Sequence, residues 1–143
     1  MTIRLAAEIG VALSLMLGSA HAQIATYKVE GDGIPKPLTA TPGDAARGKA
    51  LLAQREAANC LTCHSIKDKT LGAGGTRGPA LDGVGAQLTA AQLRLSVVDY
   101  TRVARDAIMP GFHKQAGRGE DKPILSAQQV EDVVAYLTTL RYR

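Results

Sequence analysis

Cys60-Leu61-Thr62-Cys63-His64 constrains this chain more than any other stretch. It is a C-x-x-C-H run, the attachment signature of a c-type haem. The chemistry dictates the spacing. Two thiols must reach the two vinyl groups of one porphyrin and form thioethers, and the next residue must present an imidazole to the iron from the same side. Other readings of these residues are weaker. A thioredoxin-like C-x-x-C wants a βαβ context, whereas the segments around Cys60 read as helix and loop. A zinc site would need a fourth ligand, and His64 directly after Cys63 is an awkward geometry for tetrahedral coordination. A Cys60–Cys63 disulfide would leave His64 unexplained. The sequence has only these two cysteines, so one covalently bound haem c leaves no free thiol. Any chemistry needing a protein thiol must borrow it from another chain.

The N-terminus reads as a secretory signal over residues 1–22. Arg4 gives a positive start, Ile9 to Leu17 is apolar, and Ala20-His21-Ala22 fits the small-x-small cleavage rule. Glu8 is an unwelcome charge before the apolar run. That run is too short for a bilayer span, so no membrane span is expected in the mature form. Export agrees with the haem motif, since c-type haem is attached outside the cytoplasm, and the expected location is the periplasm. Residues 23–143 have the length of one domain. Its core is lean, with no Trp, one Phe and four Tyr, so a tethered haem would supply missing apolar bulk. The net charge of +4 favours acidic partners or anionic substrates. No stacking aromatics or recognition motif accompany it, so nucleic acid is not expected.

Gly31, Gly33, Pro35, Pro37 and Pro42 rule out helix in an extended N-terminal arm, residues 23–43. It is either a loose leader or an arm laid on a partner subunit. A helix is predicted from the N-cap Asp44 towards Ala58, with Gly48 inside it where something packs close to the backbone. Residues 65–88 are broken by glycines and read as loop. Thr89-Ala90-Ala91-Gln92 and Ser126-Ala127-Gln128-Gln129 are capping boxes. The first should lead a helix with Leu93, Val97 and Val98 inward. The second should lead one whose Val130, Val133, Val134, Leu137 and Leu140 share a face. A helical turn is expected over Arg102 to Ala107, and Met109-Pro110-Gly111 forces an irregular segment. No strand pattern is present, so the fold class is all-α.

His64 is the expected proximal iron ligand. For the sixth position the mature chain offers Met109, His113, or a Lys or Tyr. Met109 is the only Met outside the signal and sits in a stiff Met-Pro loop. His113, four residues on, competes with it. Met–His ligation raises the potential of the iron. A backbone carbonyl near Pro79 can accept the N–H of His64 and fix its tautomer. Lys67, Lys69 and Arg77 flank this loop and can ring an exposed haem edge.

These residues resemble a class I cytochrome c in order: N-terminal helix, C-x-x-C-H, Gly-Pro loop, distal Met, C-terminal helix. The resemblance implies a few helices wrapped around one haem, in a cytochrome c domain over residues 44–143. The first and last helices of such folds cross through a Gly and an aromatic, and Gly48 and Tyr136 match that pair. More narrowly, Asn59 to His64, Gly78 to Gly85, Gln92 to Asp99, Ile108 to His113 and Gln128 to Leu137 are similar to the SoxX family, the monohaem subunits of SoxAX cytochromes. The likeness runs from about Gly43 onward, and Tyr100 departs from it where a Pro is expected. It implies His64 and Met109 as iron ligands and a heterodimer with a SoxA-type haem subunit. It also implies a part in oxidatively conjugating thiosulfate to a cysteine of the SoxY carrier protein. In that L-cysteine S-thiosulfotransferase the catalytic cysteine would lie on SoxA, and this chain would accept electrons and pass them to a downstream cytochrome c. The alternatives are a free-standing periplasmic cytochrome c electron carrier and a haem enzyme with a labile sixth ligand.

Overall fold

The computed structural model describes residues 24–114 and 122–141. The predicted signal, residues 1–22, and Gln23 lie outside the described residues. Four α-helices are present: α1 Ala45–Ala53, α2 Val84–Gln87, α3 Ala90–Asp99 and α4 Ala127–Thr139. Two 3-10 turns, Cys60–Thr62 and Tyr100–Arg102, complete the set. Among the described residues extended pairing is limited to one isolated bridge, Glu30 with Gly33.

Each long helix starts where local chemistry satisfies its first free N–H groups. The Asp44 carboxylate accepts from Arg47 N at 2.7 Å. Thr89 and Ser126 both close reciprocal capping boxes, with Gln92 and Gln129. Their inward faces follow the helical period: Leu93, Val97 and Val98 from α3, and Val130, Val133, Val134 and Leu137 from α4, are buried. Leu140 falls at the C-cap of α4 and is only partly covered. Three boundaries differ from expectation. Helix α1 ends at Ala53 rather than near Ala58, because residues 54–58 turn to feed a left-handed Asn59. Within the expected loop 65–88, Gly83 at φ 76° starts the single turn α2. The turn expected over Arg102 to Ala107 forms earlier, at Tyr100–Arg102.

Helices α1 and α4 cross in backbone contact. A Cβ at Gly48 would collide with the Asp132 carbonyl oxygen and stand 3.0 Å from the Tyr136 Cβ. The Arg47 guanidinium then grips Asp132 through Nε–Oδ2 and Nη2–Oδ1 bonds, each 2.8 Å. Asp44 N donates to the same carboxylate at 2.8 Å.

Residues 24–43 carry no helix, and they lie along their own domain rather than standing free. Ile34 is fully buried, its N–H donates to Ala91 O at 2.9 Å, and its carbonyl accepts from Arg94 Nη1 at 2.6 Å. Arg94 also makes a two-pronged pair with Glu131, at 2.7 and 2.9 Å. Glu131 Oε1 in turn accepts from Leu38 N at 2.8 Å. Both charged residues are 5% exposed. A buried pair of this kind fixes geometry, and removing one member strands the other charge in a poor solvent.

Arg94→Met should therefore lower stability by about 3–5 kcal/mol, read by denaturant unfolding of the haem-loaded protein, with new proteolytic cuts in residues 24–43. Acid should loosen the helix crossing. The Arg47 hydrogen bonds hold the Asp132 carboxyl below its ordinary pKa, against the opposing cost of burial. That contribution is present above pH about 4, the unfolded value, and is lost as pH falls through the lower folded value. Stability measured from pH 6 to pH 2 should fall less steeply in Asp132→Asn than in the parent chain.

Candidate cofactor site

Asn59 opens the site. Its φ of 45° and ψ of 39° are left-handed, a conformation that costs most side chains roughly 1–2 kcal/mol but that Asn tolerates. The reversal turns the chain straight into the 3-10 turn Cys60–Thr62. Cys63 N and His64 N both donate to Cys60 O, at 3.1 and 2.9 Å. Cys60, Cys63 and His64 therefore line the same cavity, of about 570 Å³. The two cysteines form no disulfide with each other, and before any thioether forms burial pushes the Cys60 thiol up to about 11.

A glycine loop is stitched beneath the motif. Gly75 N donates to Leu61 O and Gly78 N to Cys63 O, each at 2.8 Å. Gly74 and Gly75 press against the carbonyls of His64 and Thr62, where any side chain would collide. A Cβ on Gly78 would stand 2.5 Å from His64 Cε1. The His64 ring lies along this glycine and its Nδ1–H donates to Pro79 O at 2.7 Å. That bond fixes the tautomer and leaves Nε2 without a proton, ready to ligate.

The remaining lining is largely apolar. Leu52, Leu93, Val97, Val133 and Leu137 come from helices α1, α3 and α4; Met109, Pro110 and Phe112 come from the loop after the second 3-10 turn. Met109 thus shares the cavity with His64, although the two are far apart in sequence. His113 does not line it. Its ring is fully buried, Nδ1–H donates to Leu125 O at 2.7 Å, and Nε2 accepts from Ala25 N at 2.9 Å. With both nitrogens committed it has no lone pair for a metal. Lys67 and Lys69 also differ from expectation. They line a separate depression with Asp68, Asp82, Tyr136 and Arg141, and only Arg77 of the three borders the cleft.

Two features escaped the sequence reading. Asn59 was visible only as a residue type that accepts φ above zero, placed directly before the motif. Ser96, Tyr100 and Asp106 are polar residues of the cleft wall that no spacing rule marks.

The cavity suits a large apolar ring tethered at one edge. It offers two thiols for thioethers, an oriented imidazole and a thioether sulfur. Among the described residues no group of three or more His, Cys, Asp or Glu converges as a simple metal site. The model of the family described as cytochrome c matches residues 45–141. The chain belongs to the cytochrome c family. A chain of the crystal structure of SoxXA from P. pantotrophus superposes on this cytochrome with a TM-score of 0.75 and 33% identity, covering 80% of this chain and 94% of that one. None of the curated proteins matches significantly. The cytochrome is of the SoxX type, has the class I fold, and carries one covalently bound haem c in an electron-transfer role.

Gly78→Ala tests the cradle under His64. The added carbon must push the imidazole or the loop aside, so haem incorporated per chain should fall several-fold, measured by haemochrome absorbance against protein mass.

Proposed function

We propose that this cytochrome is the electron-accepting subunit of a periplasmic heterodimer with a SoxA-type haem subunit. The heterodimer joins thiosulfate oxidatively to a cysteine of the SoxY carrier. Forming that sulfur–sulfur bond releases two electrons, which must leave one at a time through a single-electron carrier. Bound haem iron supplies the one-electron couple. Cys60 and Cys63 would anchor the group covalently, His64 Nε2 and Met109 Sδ would hold its iron, and Pro79 O orients His64. The committed ring of His113 is the observation that favours Met109. A neutral thioether together with an imidazole would favour the reduced state and so a raised potential. The apolar walls exclude water and limit the polar rearrangement that accompanies each change of charge.

The likeness to the SoxXA chain supports the partner assignment. So does the thiol count: with Cys60 and Cys63 committed, no cysteine of this chain remains for substrate. The reactive cysteine of the L-cysteine S-thiosulfotransferase then belongs to SoxA, and a downstream cytochrome c takes the electrons away. Ile108 borders the cleft at 73% exposure, an apolar residue placed for a protein to cover. Among the described residues no helix is long and apolar enough to cross a membrane.

Met109→Ala should abolish the Met–iron charge-transfer band and lower the potential by on the order of 0.1 V or more. Purification from thiosulfate-grown cells should yield a second haem chain in equal amount. A monomer that transfers electrons normally without that chain would favour the free-standing carrier instead.

A further inference from the structure

Among the described residues, the segment that carries Met109 is hydrogen-bonded only at its ends. Ala107 N donates to Ala104 O at 3.1 Å, and Phe112 N and His113 N donate to Val97 O and Val98 O, each at 3.2 Å. Between them, no hydrogen bond ties residues 108–111 to the other described residues. Met109 packs against the core, and the main-chain bonds that fix its loop on the downstream side are those of Phe112 and His113.

The His113 ring does more there than fill space. A fully buried imidazole needs both nitrogens satisfied, and leucine would fill a similar volume without that demand. Here Nδ1–H donates to Leu125 O and Nε2 accepts from Ala25 N. The ring thus joins three stretches of chain: the end of the Met109 loop, the approach to α4, and the N-terminal segment. Leu125 N also donates to Phe112 O at 2.9 Å, so the first two are already paired through backbone. The contribution specific to the ring is the link to Ala25, which lies 88 residues away in sequence.

We infer that His113 is a positioning residue for Met109. By binding Ala25 it makes the N-terminal segment part of the loop anchor, and so sets how readily Met109 leaves the iron. The inference rests on Met109 being the axial ligand. A partner that pulls on residues 24–33 would loosen the sixth ligand without touching the cleft.

The test is imidazole titration of the haem-loaded chain, following loss of the Met–iron band. His113→Phe keeps a ring and removes both hydrogen bonds. Ala25→Pro leaves the His113 side chain and the loop sequence unchanged and deletes the donor, while also fixing φ at residue 25. One net hydrogen bond corresponds to about a fivefold change, so Ala25→Pro should bind imidazole about fivefold more tightly and His113→Phe at least as much. The double variant should go no further than His113→Phe alone. Unchanged affinity in Ala25→Pro, or strictly additive effects in the double variant, would overturn the inference. Should His113→Phe fail to load haem, Ala25→Pro decides alone. Persistence of the band in Met109→Ala would remove the ligand assignment beneath it, an outcome separable from the other two.

Discussion

The backbone contact between α1 and α4 at Gly48 is the constraint on which the site depends. Only a residue without Cβ lets the two helices approach so closely, and the Arg47–Asp132 pair fixes their angle from the side. The crossing sets where α1 ends. The chain must then reverse within residues 54–59 to deliver Cys60 to the cleft. Beyond the crossing, Val133 and Leu137 of α4 form the wall that faces the cofactor. Widening the crossing would move the attachment motif and its opposing wall apart together.

Buried charge has an unusual share in this fold for so small a core. Arg94, Glu131 and Asp132 lie at 5%, 5% and 3% exposure. They bind main-chain groups of Ile34, Leu38 and Asp44, while Arg94 and Glu131 pair with each other and Asp132 with Arg47. Proline and glycine deny residues 24–43 any helix of their own, so their polar groups need partners from elsewhere. The side chains of α3 and α4 provide them. With one Phe and no Trp in the chain, apolar burial alone would define the packing of this segment poorly, and directional bonds from buried charges do so instead.

What was legible in the sequence was local. The two capping boxes, the inward faces of α3 and α4, and the Gly48–Tyr136 crossing follow from spacings of a few residues or from a known pairing of two helices. The haem motif is local too, since its geometry closes within a single turn. What escaped the sequence rests on long-range pairing. No spacing rule marks Arg94 and Glu131 as a buried pair; the fold brings them together across 37 residues. His113 read as a candidate ligand because its type suits iron, and only its two buried partners reveal that its nitrogens are committed. Lys67 and Lys69 follow the motif closely in sequence yet point into another depression, because Lys67 N is drawn to Asp82 Oδ1 at 2.8 Å.

The two sides of the cleft are built with different rigidity, and that difference bears on function. On the His64 side the ring is fixed by Pro79 O, pressed by Gly78, and underlain by a loop bonded twice to the motif. On the Met109 side a four-residue span hangs between end anchors. A covalently attached group is retained by Cys60 and Cys63, so sparse hydrogen bonding on the Met109 side costs nothing in cofactor retention. The contrast lies in main-chain hydrogen bonding: the His64 side has its loop bonded to the motif, and residues 108–111 are bonded only through their flanks. The same span presents exposed Ile108 to the outside.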